Sequence, residues 1–557
     1  MMSPQWSPKV WFALLGLVQT LSVPSLSDRT AETLRNRIEA AGHPIGIKVG
    51  EDPIHDSGIL ASFYQKRLYR AAWSNDRGPL PQVVGLVQAL HRASREGLDP
   101  SVYHLSKIDA LWNQVQRNAQ EGSTLDPRRL VDLDLLLTDA FLIYASHLFS
   151  GRVNPETFDS EWHVVALKEV DLPRYLEEAL ASGRISEALD GLLPVHHGYT
   201  ELQRALFEYR RLSRSGGWPR ISDGPKLQLN DVDDRVAQLR QRLLATGDLM
   251  GPIEGASEHF DSALEDAVRM FQLRHGLEAD GVVGAGTLAA LNVPINERVR
   301  QMELNLERWR WLPRNLGERY ILVNIPSFEL EVTEGEKVVL EMRVVVGKTY
   351  RRTPVFSSSM THLVFSPYWH VPPSLAVQDV LPAAQKDLEY LAKKRIKVFR
   401  GWGADTVEMD PSAIDWSRLS RSDFPFRFRQ EPGPQNALGG VKFMFPNTFN
   451  VYLHDTPSRE LFLRADRSFS SGCIRIEKPL RLAEYVLGGA SGWDAERILA
   501  ASLKGVEQTV RLPESIPVHL LYWTCWVDAR GTVHFRNDVY GRDRLLDDAL
   551  QEKPPTR

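Results

Sequence analysis

A cysteine followed by a fixed cation and preceded by a histidine is the feature of this sequence that could do chemistry. Cys473 lies nineteen positions after His454, in a Ser-Ser-Gly-Cys-Ile-Arg segment that ends at Arg475. A thiol among small residues, with an imidazole to take its proton, is what cysteine acyl transfer requires. The pattern predicts Cys473 as a nucleophile and His454 as its base.

The residues around the thiol predict how it would be assisted. Attack on an amide creates an oxyanion, and backbone N–H groups of Ser471, Gly472 and Cys473 are expected to stabilise it, each by about 3 kcal/mol. Gly472 is also expected to give access to the thiol. Arg475 is expected either to bind a substrate carboxylate in bidentate fashion or to bond backbone carbonyls of its own loop, and the sequence favours neither.

Length and composition describe an ordinary globular protein with several domains. The 557 residues suit two to four domains, and a formal charge of -4 gives no reason to expect a nucleic-acid partner. Two cysteines are too few for a disulfide scaffold. The second one, Cys525, lies in an apolar and aromatic run that predicts a buried strand and an inert core thiol.

The N-terminus predicts export. Lys9 precedes the apolar run Val10 to Val18, and small and polar residues follow. The run is short for a bilayer of about 30 Å but has the size of a signal-peptide core. We predict a signal peptide over residues 1–27, with a buried first helix and an uncleaved membrane anchor as alternatives. Lipid attachment is not expected, because no cysteine follows the run.

Residues 28–222 are predicted as an all-α scaffold region. Apolar residues recur at three-to-four spacing in segments such as Leu80–Leu90 and Leu130–Tyr144. No catalytic cluster is expected there, and Asp134 and Asp139 are assigned to solvated helix faces.

Residues 227–298 are predicted as a compact unit that follows a polar linker. An amphipathic helix ends at Gly276, a turn follows, and Thr287 lies near the start of another helix. Phe-Gln, Gly-Leu, Asp-Gly and Thr-Leu pairs stand in the order found in the three-helix peptidoglycan-binding module, which this unit resembles. Because those positions are helix ends and core, the resemblance implies the module and no particular binding residue.

The last region, predicted over 300–545, is rich in β-structure. From Arg319 the hydrophobic period changes to two, which predicts consecutive strands of a mostly antiparallel sheet up to Phe365. Over 372–431 the pattern stops, and a helical, charged insertion is expected to cover the site as a lid. The predicted fold class is a multidomain α+β protein: an all-α scaffold, a three-helix module and a β catalytic domain with an inserted helical lid.

The motifs of the last region resemble those of the YkuD-type L,D-transpeptidases. The chain has Gly-Pro-Gln-Asn-Ala-Leu-Gly from Gly433, Lys-Phe at Lys442, His-Asp-Thr at His454 and Ser-Gly-Cys-Ile-Arg around Cys473. The order of helical region, peptidoglycan-binding module and catalytic domain is similar to the large periplasmic branch of that family.

The resemblance implies a function in cell wall biogenesis in the periplasm. Peptidoglycan stem peptides would be the substrates, joined in a ping-pong reaction between two third-position residues, and other wall-synthesis proteins would be partners of the helical region. Water in place of the acceptor amine would make a carboxypeptidase or a cross-link-cleaving hydrolase. A non-catalytic wall-binding scaffold is the alternative from another class, and the intact Cys and His argue against it.

The resemblance also implies further site residues. An oxygen just after the histidine would orient the imidazole, and the carbonyl of Asp455 is favoured over its carboxylate, which points away on an extended segment. Lys442 and Asn436 are expected to shape the cleft, with a structural turn role equally open for Asn436. Trp369, at the root of the insertion, is expected either to line the donor groove or to anchor the lid.

No metal and no cofactor are expected. No phosphate loop or dinucleotide fingerprint is present. Four histidines on predicted strands are scattered without the close spacing that zinc requires. They are His362, His370, His519 and His534.

Overall fold

A computed structural model of the chain describes residues 24–42, 46–163, 170–251, 257–488 and 492–552. The predicted signal peptide falls mostly on residues 1–23, which lie outside the described residues. Within the described ranges, the helical region, the compact unit, the β-rich region and the insertion each have a hydrophobic core of their own.

The first region is helical, as its apolar spacing predicts. Its core gathers around one long helix, from which Leu135, Leu137 and Phe141 are fully buried. Two short hairpins join the helices, β1 (Lys48–Val49) with β2 (Asp52–Pro53) and β3 (Ser74–Asn75) with β4 (Gly78–Pro79). The helices are α1 (Leu26–Glu39), α2 (Ser57–Lys66), α3 (Gln82–Arg92), α4 (Leu105–Gln120), α5 (Pro127–Ser150), α6 (Leu172–Ser182), α7 (Ile185–Asp190) and α8 (His197–Arg214).

Helix α5 is the core helix of this region. Its length and hydropathy would suit a membrane span, but 78% of its most apolar stretch is buried inside the protein. The expectation that Asp134 and Asp139 face solvent is wrong, since they are 1% and 2% exposed. Asp134 accepts hydrogen bonds from the Tyr64 hydroxyl at 2.7 Å and the Trp73 N–H at 2.8 Å. Such partners make a buried carboxylate tolerable, and helical spacing alone does not reveal them.

The compact unit has the three predicted helices, α9 (Asp234–Ala245), α10 (Ser262–Arg274) and α11 (Ala285–Leu291). Its Phe-Gln and Asp-Gly motifs bond to each other. The Gln272 amide donates to Asp280 at 2.8 Å and accepts from the Gly281 N–H at 2.9 Å. These motifs therefore fix the turn after α10 rather than a ligand.

Helix α12 (Ile295–Arg310) connects the compact unit to the β-rich region and packs along α8. Apolar residues from both helices form one cluster with the β-rich region, including Leu202, Leu306 and Trp523. Cys525 lies fully buried in this cluster, as predicted.

The β-rich region begins with four strands in the predicted places. In chain order the strands are β5 (Arg319–Asn324), β6 (Glu329–Glu334), β7 (Lys337–Gly347), β8 (Phe356–Phe365), β9 (Trp369–His370), β10 (Ile396–Arg400), β11 (Val407–Met409), β12 (Phe426–Gln430), β13 (Val441–Met444), β14 (Leu453–His454), β15 (Ser468–Ser470), β16 (Ile474–Ile476), β17 (Gln508–Leu521), β18 (Cys525–Val527) and β19 (Val533–Phe535). The helices are α13 (Pro373–Leu375), α14 (Leu381–Lys386), α15 (Glu389–Lys393), α16 (Pro479–Val486), α17 (Ala495–Leu503) and α18 (Arg542–Gln551).

The main sheet has the strand order β15-β7-β16-β14-β13-β8-β17-β5-β6, and β6 also pairs with β7, so that eight strands close on themselves. Three pairs are parallel, β15 with β7, β14 with β16 and β17 with β5. The other described pairs of this sheet are antiparallel, which confirms a mostly antiparallel domain. Val323, Leu330, Phe443, Ile474 and Val518 fill its interior.

The insertion differs from the predicted helical lid, because it also contains a sheet. Strands β9 to β12 pair in the order β11-β10-β12-β9, all antiparallel, over a core that includes Val398, Trp416 and Phe428. The prediction of a helical insertion overlooked a period-two signal, since charged residues such as Lys397 and Arg427 alternate with apolar residues in β10 and β12.

Candidate active site

The candidate site lies on the outer face of three neighbouring strands. Lys442 on β13 is in register with His454 on β14, which is in register with Arg475 on β16. Side chains in register point to the same face of a sheet, and their neighbours along the strand point to the other. Leu453 and Ile474 accordingly face the barrel interior and are fully buried. The sheet therefore gathers three basic side chains from distant positions.

Cys473 directly precedes β16, in a turn held by hydrogen bonds. The hydroxyl of Ser470 donates to the Cys473 carbonyl at 2.5 Å, and Thr353 donates to the Gly472 carbonyl at 2.9 Å. Gly472 has a φ of +113°, which a residue with a Cβ rarely adopts. The thiol is partly exposed, with its Sγ 3.9 Å from the Asn450 carbonyl oxygen. The turn thus presents Sγ in a fixed position at the edge of the basic face.

The predicted oxyanion donors are only partly available. The N–H of Gly472 donates to the Ser470 hydroxyl at 3.2 Å, so in this conformation it does not serve an oxyanion, contrary to expectation. The Ser471 hydroxyl accepts from Arg351 at 3.1 Å. In the described part of the chain, the N–H of Cys473 has no hydrogen-bond partner. That N–H is the better placed donor, since it adjoins the thiol.

His454 is oriented by the backbone. Its Nδ1 lies 2.6 Å from the Asp455 carbonyl oxygen. Because a carbonyl can only accept, Nδ1 carries the proton and Nε2 is left as the basic nitrogen. The Asp455 carboxylate instead accepts from the N–H groups of Gly440 at 2.8 Å and Thr456 at 2.6 Å, and it also pairs with Arg459. The geometry gives the orienting role to the carbonyl and a loop-fixing role to the carboxylate.

The surroundings keep both His454 and Cys473 neutral. Burial, with repulsion from Arg475 and Lys442, lowers the pKa of His454 to about 3, although the Asp455 carbonyl opposes this shift. Burial raises the pKa of the Cys473 thiol above its usual 9.0, opposed by hydrogen bonds from Tyr452 and by the same two cations. The cations therefore favour a thiolate and disfavour an imidazolium.

Tyr452 is a site residue that the sequence analysis missed. Its hydroxyl and its N–H act on the Cys473 sulfur, where they oppose the rise that burial causes in the pKa of the thiol. Its ring meets the ring of His454 edge to face at a centroid distance of 5.8 Å. Its position two residues before His454, on the same face of an extended segment, is the signal that could have found it.

Within the described residues, neither Arg475 nor Lys442 forms an ion pair, and the charges of both act on the Cys473 thiol. In the described residues, the buried Nε of Arg475 has no hydrogen-bond partner, and its guanidinium makes no bond to a backbone carbonyl. The Lys442 Nζ lies 5.8 Å from the ring centroid of Tyr452, and burial lowers its pKa. Two desolvated cations beside a thiol form a site suited to an anionic group.

Asn436 and Trp369 belong to the frame of the insertion rather than to the thiol. The buried Asn436 amide donates to the carbonyls of Pro367 at 3.0 Å and Glu431 at 3.1 Å, which tie together the two roots of the insertion. This geometry corrects the substrate-binding assignment of Asn436 in favour of the turn role. Trp369 pairs with Gln430 in the small sheet and packs against its core, as a lid anchor would.

Arg351 connects the insertion to the nucleophile turn. It follows β7, and its guanidinium bonds Asp379 at 2.6 Å and Gln378 at 2.7 Å, both in the insertion. The same guanidinium donates to the Ser471 hydroxyl at 3.1 Å. The Arg351 side chain therefore ties the insertion to Ser471, two positions before Cys473.

Three family descriptions match the chain. Residues 318–502 match YkuD, "L,D-transpeptidase catalytic domain". Residues 232–291 match "Putative peptidoglycan binding domain", and residues 58–206 match "Scaffold domain". These matches confirm the family resemblance inferred from the Cys and His motifs.

Curated proteins and a solved structure are also similar. A "Putative L,D-transpeptidase" of Haemophilus influenzae is 37% identical over 249 residues, 44% of this chain and 49% of that protein, so the chain matches about half of the relative's length. "N-acetylmuramoyl-L-alanine amidase CwlM" of Mycobacterium tuberculosis is 40% identical over 80 residues, 13% of this chain and 20% of that protein. An L,D-transpeptidase structure from Stackebrandtia nassauensis has 12% identity and a TM-score of 0.22 over 54% of this chain and 96% of its own.

Proposed function

We propose that this chain, which contains a YkuD L,D-transpeptidase catalytic domain, a peptidoglycan-binding domain and a scaffold domain, cross-links peptidoglycan stem peptides. Cys473 is the nucleophile and His454 the acid and base of the proposal. The observation that carries it is the single sheet face on which a backbone-oriented His454 adjoins the Cys473 turn and two cations, Arg475 and Lys442, that form no ion pair with any described residue. A non-catalytic wall-binding scaffold would not require this arrangement.

In the acylation step, the Cys473 sulfur attacks the carbonyl carbon of the third-position residue of a tetrapeptide stem. His454 Nε2 takes the thiol proton and passes it to the amine of the terminal D-Ala as the C–N bond breaks. The N–H of Cys473 donates to the oxyanion, and the Tyr452 hydroxyl stabilises the thiolate before attack. The products are a thioester on Cys473 and free D-Ala.

In the second step, an amine of a neighbouring stem attacks the thioester carbonyl. His454 takes a proton from this amine and returns it to the sulfur as the C–S bond breaks, so the thiol is regenerated. The new amide joins two third-position residues. Water in place of the amine would give a hydrolysed tripeptide, and the insertion over the site would favour the amine by excluding water.

Arg475 and Lys442 are proposed to bind a carboxylate of the stem peptide. An anion between them would offset the positive charge that lowers the pKa of His454. Substrate binding would therefore make His454 a stronger base at the moment when a proton has to move. Without substrate, both His454 and Cys473 would stay uncharged.

The test is incubation of the purified protein with disaccharide-tetrapeptide, followed by mass analysis of the products. The proposal expects a cross-linked dimer with loss of one D-Ala per dimer. Tripeptide alone would identify a carboxypeptidase that uses the same acyl-enzyme. If neither product forms, and no thioester is detected on the protein, the enzymatic proposal is wrong.

Export to the periplasm and docking of other wall-synthesis proteins on the helical region are further parts of the proposal. The apolar run before Ser22 supports export, and the scaffold match supports a protein-contact role for the helical region. Cell fractionation with N-terminal sequencing of the mature protein tests the location. Recovery of an intact N-terminus in the cytoplasm would contradict export.

A further inference from the structure

A cluster of two histidines and one aspartate lies in the helical region, far in sequence from Cys473. Asp139 projects from the middle of α5, and its Oδ2 is 2.7 Å from His55 Nδ1 and 2.8 Å from His104 Nε2. The three atoms lie within 4.8 Å of one another. His55 follows β2 and His104 precedes α4, so three separate elements meet at one carboxylate oxygen.

We propose that His55, His104 and Asp139 form a binding site for a divalent transition-metal ion, with Zn²⁺ as the best fit. Two imidazole nitrogens and one carboxylate oxygen are a donor set that zinc accepts, with a fourth position left for water. Ligand atoms around a tetrahedral zinc lie about 3.3 Å apart. The two His–Asp separations of 2.7 and 2.8 Å therefore have to open by roughly half an ångström to seat the ion.

The backbone holds the two imidazoles in place. His104 has a φ of +55° and a ψ of 19°, a left-handed conformation that is uncommon for a residue with a Cβ. Such conformations persist where the surroundings fix them and are concentrated at ligand sites. The N–H of His55 donates to Asp139 Oδ1 at 3.2 Å, which orients the carboxylate as an outer-shell bond does around a bound metal.

The charge around Asp139 leaves room for a cation. Within the described residues, its ion-pair partners are the two histidines, and no Lys or Arg pairs with it. Lys107 on α4 bonds Asp52 at 2.8 Å instead. The carboxylate is buried and needs positive charge nearby, which a divalent ion would supply. The His55 side chain is 25% exposed, which gives an ion and a coordinated water a route from solvent.

The experiment is a calorimetric titration of the untagged full chain with Zn²⁺ after removal of metals by a chelator. One equivalent is expected to bind with micromolar or tighter affinity. His55→Gln and His104→Gln should each weaken that binding at least tenfold. His91→Gln is the matched control, because His91 Nε2 lies 3.1 Å from Asp109 on the surface as a single His-Asp pair. This control should bind as the parent does.

Cys473 is the competing zinc ligand, so Cys473→Ala is measured beside the parent. The proposal expects one equivalent in this variant too. Loss of binding in Cys473→Ala, absence of binding in the parent, or full binding in both glutamine variants would each overturn it. If the glutamine variants do not fold, Zn²⁺ protection of His55 and His104 in the parent from an imidazole-acylating reagent decides. If Zn²⁺ does not protect His55 and His104 from the reagent, the metal site is refuted, and the three residues form a hydrogen-bonded cluster without a metal.

Discussion

The two thiols of the chain both have a raised pKa, and they differ in how far they are exposed to solvent. Cys525 is fully enclosed on β18 beside Phe535 and Met302, and burial raises its pKa far above the usual range. Cys473 also has its pKa raised by burial, but the residue is partly exposed, and Tyr452, Arg475 and Lys442 oppose the shift. Desolvation therefore acts on both thiols, whereas access from solvent distinguishes Cys473 from Cys525.

The largest expected effect separates the two thiols directly. Cys473→Ala should remove D-Ala release and the adduct with a thiol-acylating carbapenem entirely, because the bond-forming atom is gone. Cys525→Ala is the matched control and should keep the activity of the parent. Intact-protein mass measures the adduct, and thermal unfolding checks the fold. An adduct on Cys473→Ala, or loss of the adduct in Cys525→Ala, would show that Cys473 is not the nucleophile.

The next effect concerns the base beside the reactive thiol. His454→Ala should lower the acylation rate by about 10² to 10⁴, which is the usual worth of a positioned acid and base. His519→Ala is a control, because that buried histidine bonds Ser357 and the Leu316 carbonyl away from the thiol. Stopped-flow measurement of acylation between pH 6 and 8 checks the prediction. Equal rates in the parent and His454→Ala would remove the base from the mechanism.

The effect of Arg475 on the pKa of the Cys473 thiol can be measured by alkylation of that thiol. The thiolate is the reactive form, so the raised pKa of Cys473 predicts a rate that keeps rising through pH 9.0. Arg475→Gln removes a charge that lowers this pKa, so the pKa should rise further and the rate at pH 8 should fall by about tenfold. Arg481→Gln, from an exposed pair with Glu484, should leave the rate unchanged. A faster Arg475→Gln reaction would reverse the assigned sign.

The smallest expected effect tests whether the insertion keeps water away from Cys473. Arg351→Ala should loosen the insertion and raise the share of hydrolysed tripeptide over dimer by a few fold, because water then reaches the thioester. Shortening the insertion should change the ratio in the same direction. Arg418→Ala, in an exposed pair with Asp415 inside the insertion, is the control. A ratio that stays at the parent's value in both altered proteins would give the insertion another task, such as docking a partner.

Local patterns predicted the elements well and the insertion poorly. The period-two runs at β5 to β8 and the helix-ending signals around Gly276 are properties of neighbouring residues, so a single sequence reveals them. The strands of the insertion are short and carry Lys and Arg on their outward faces. Apolar residues alternate with these charges, a period-two signal that the helical prediction overlooked. The sequence does not show that β10 and β12 pair over a common core.

The sequence by itself determined which residues are the candidates for nucleophile and base, Cys473 and His454, because their types and spacing are written in two short motifs. The tertiary structure decided which groups surround them. Tyr452, Arg475 and Lys442 reach the thiol through strand register, and the cluster at Asp139 joins His55 and His104, which precede α2 and α4, to the middle of α5. Burial and charge depend on contacts between distant segments, so pKa shifts and metal-type clusters appear only after the chain is folded.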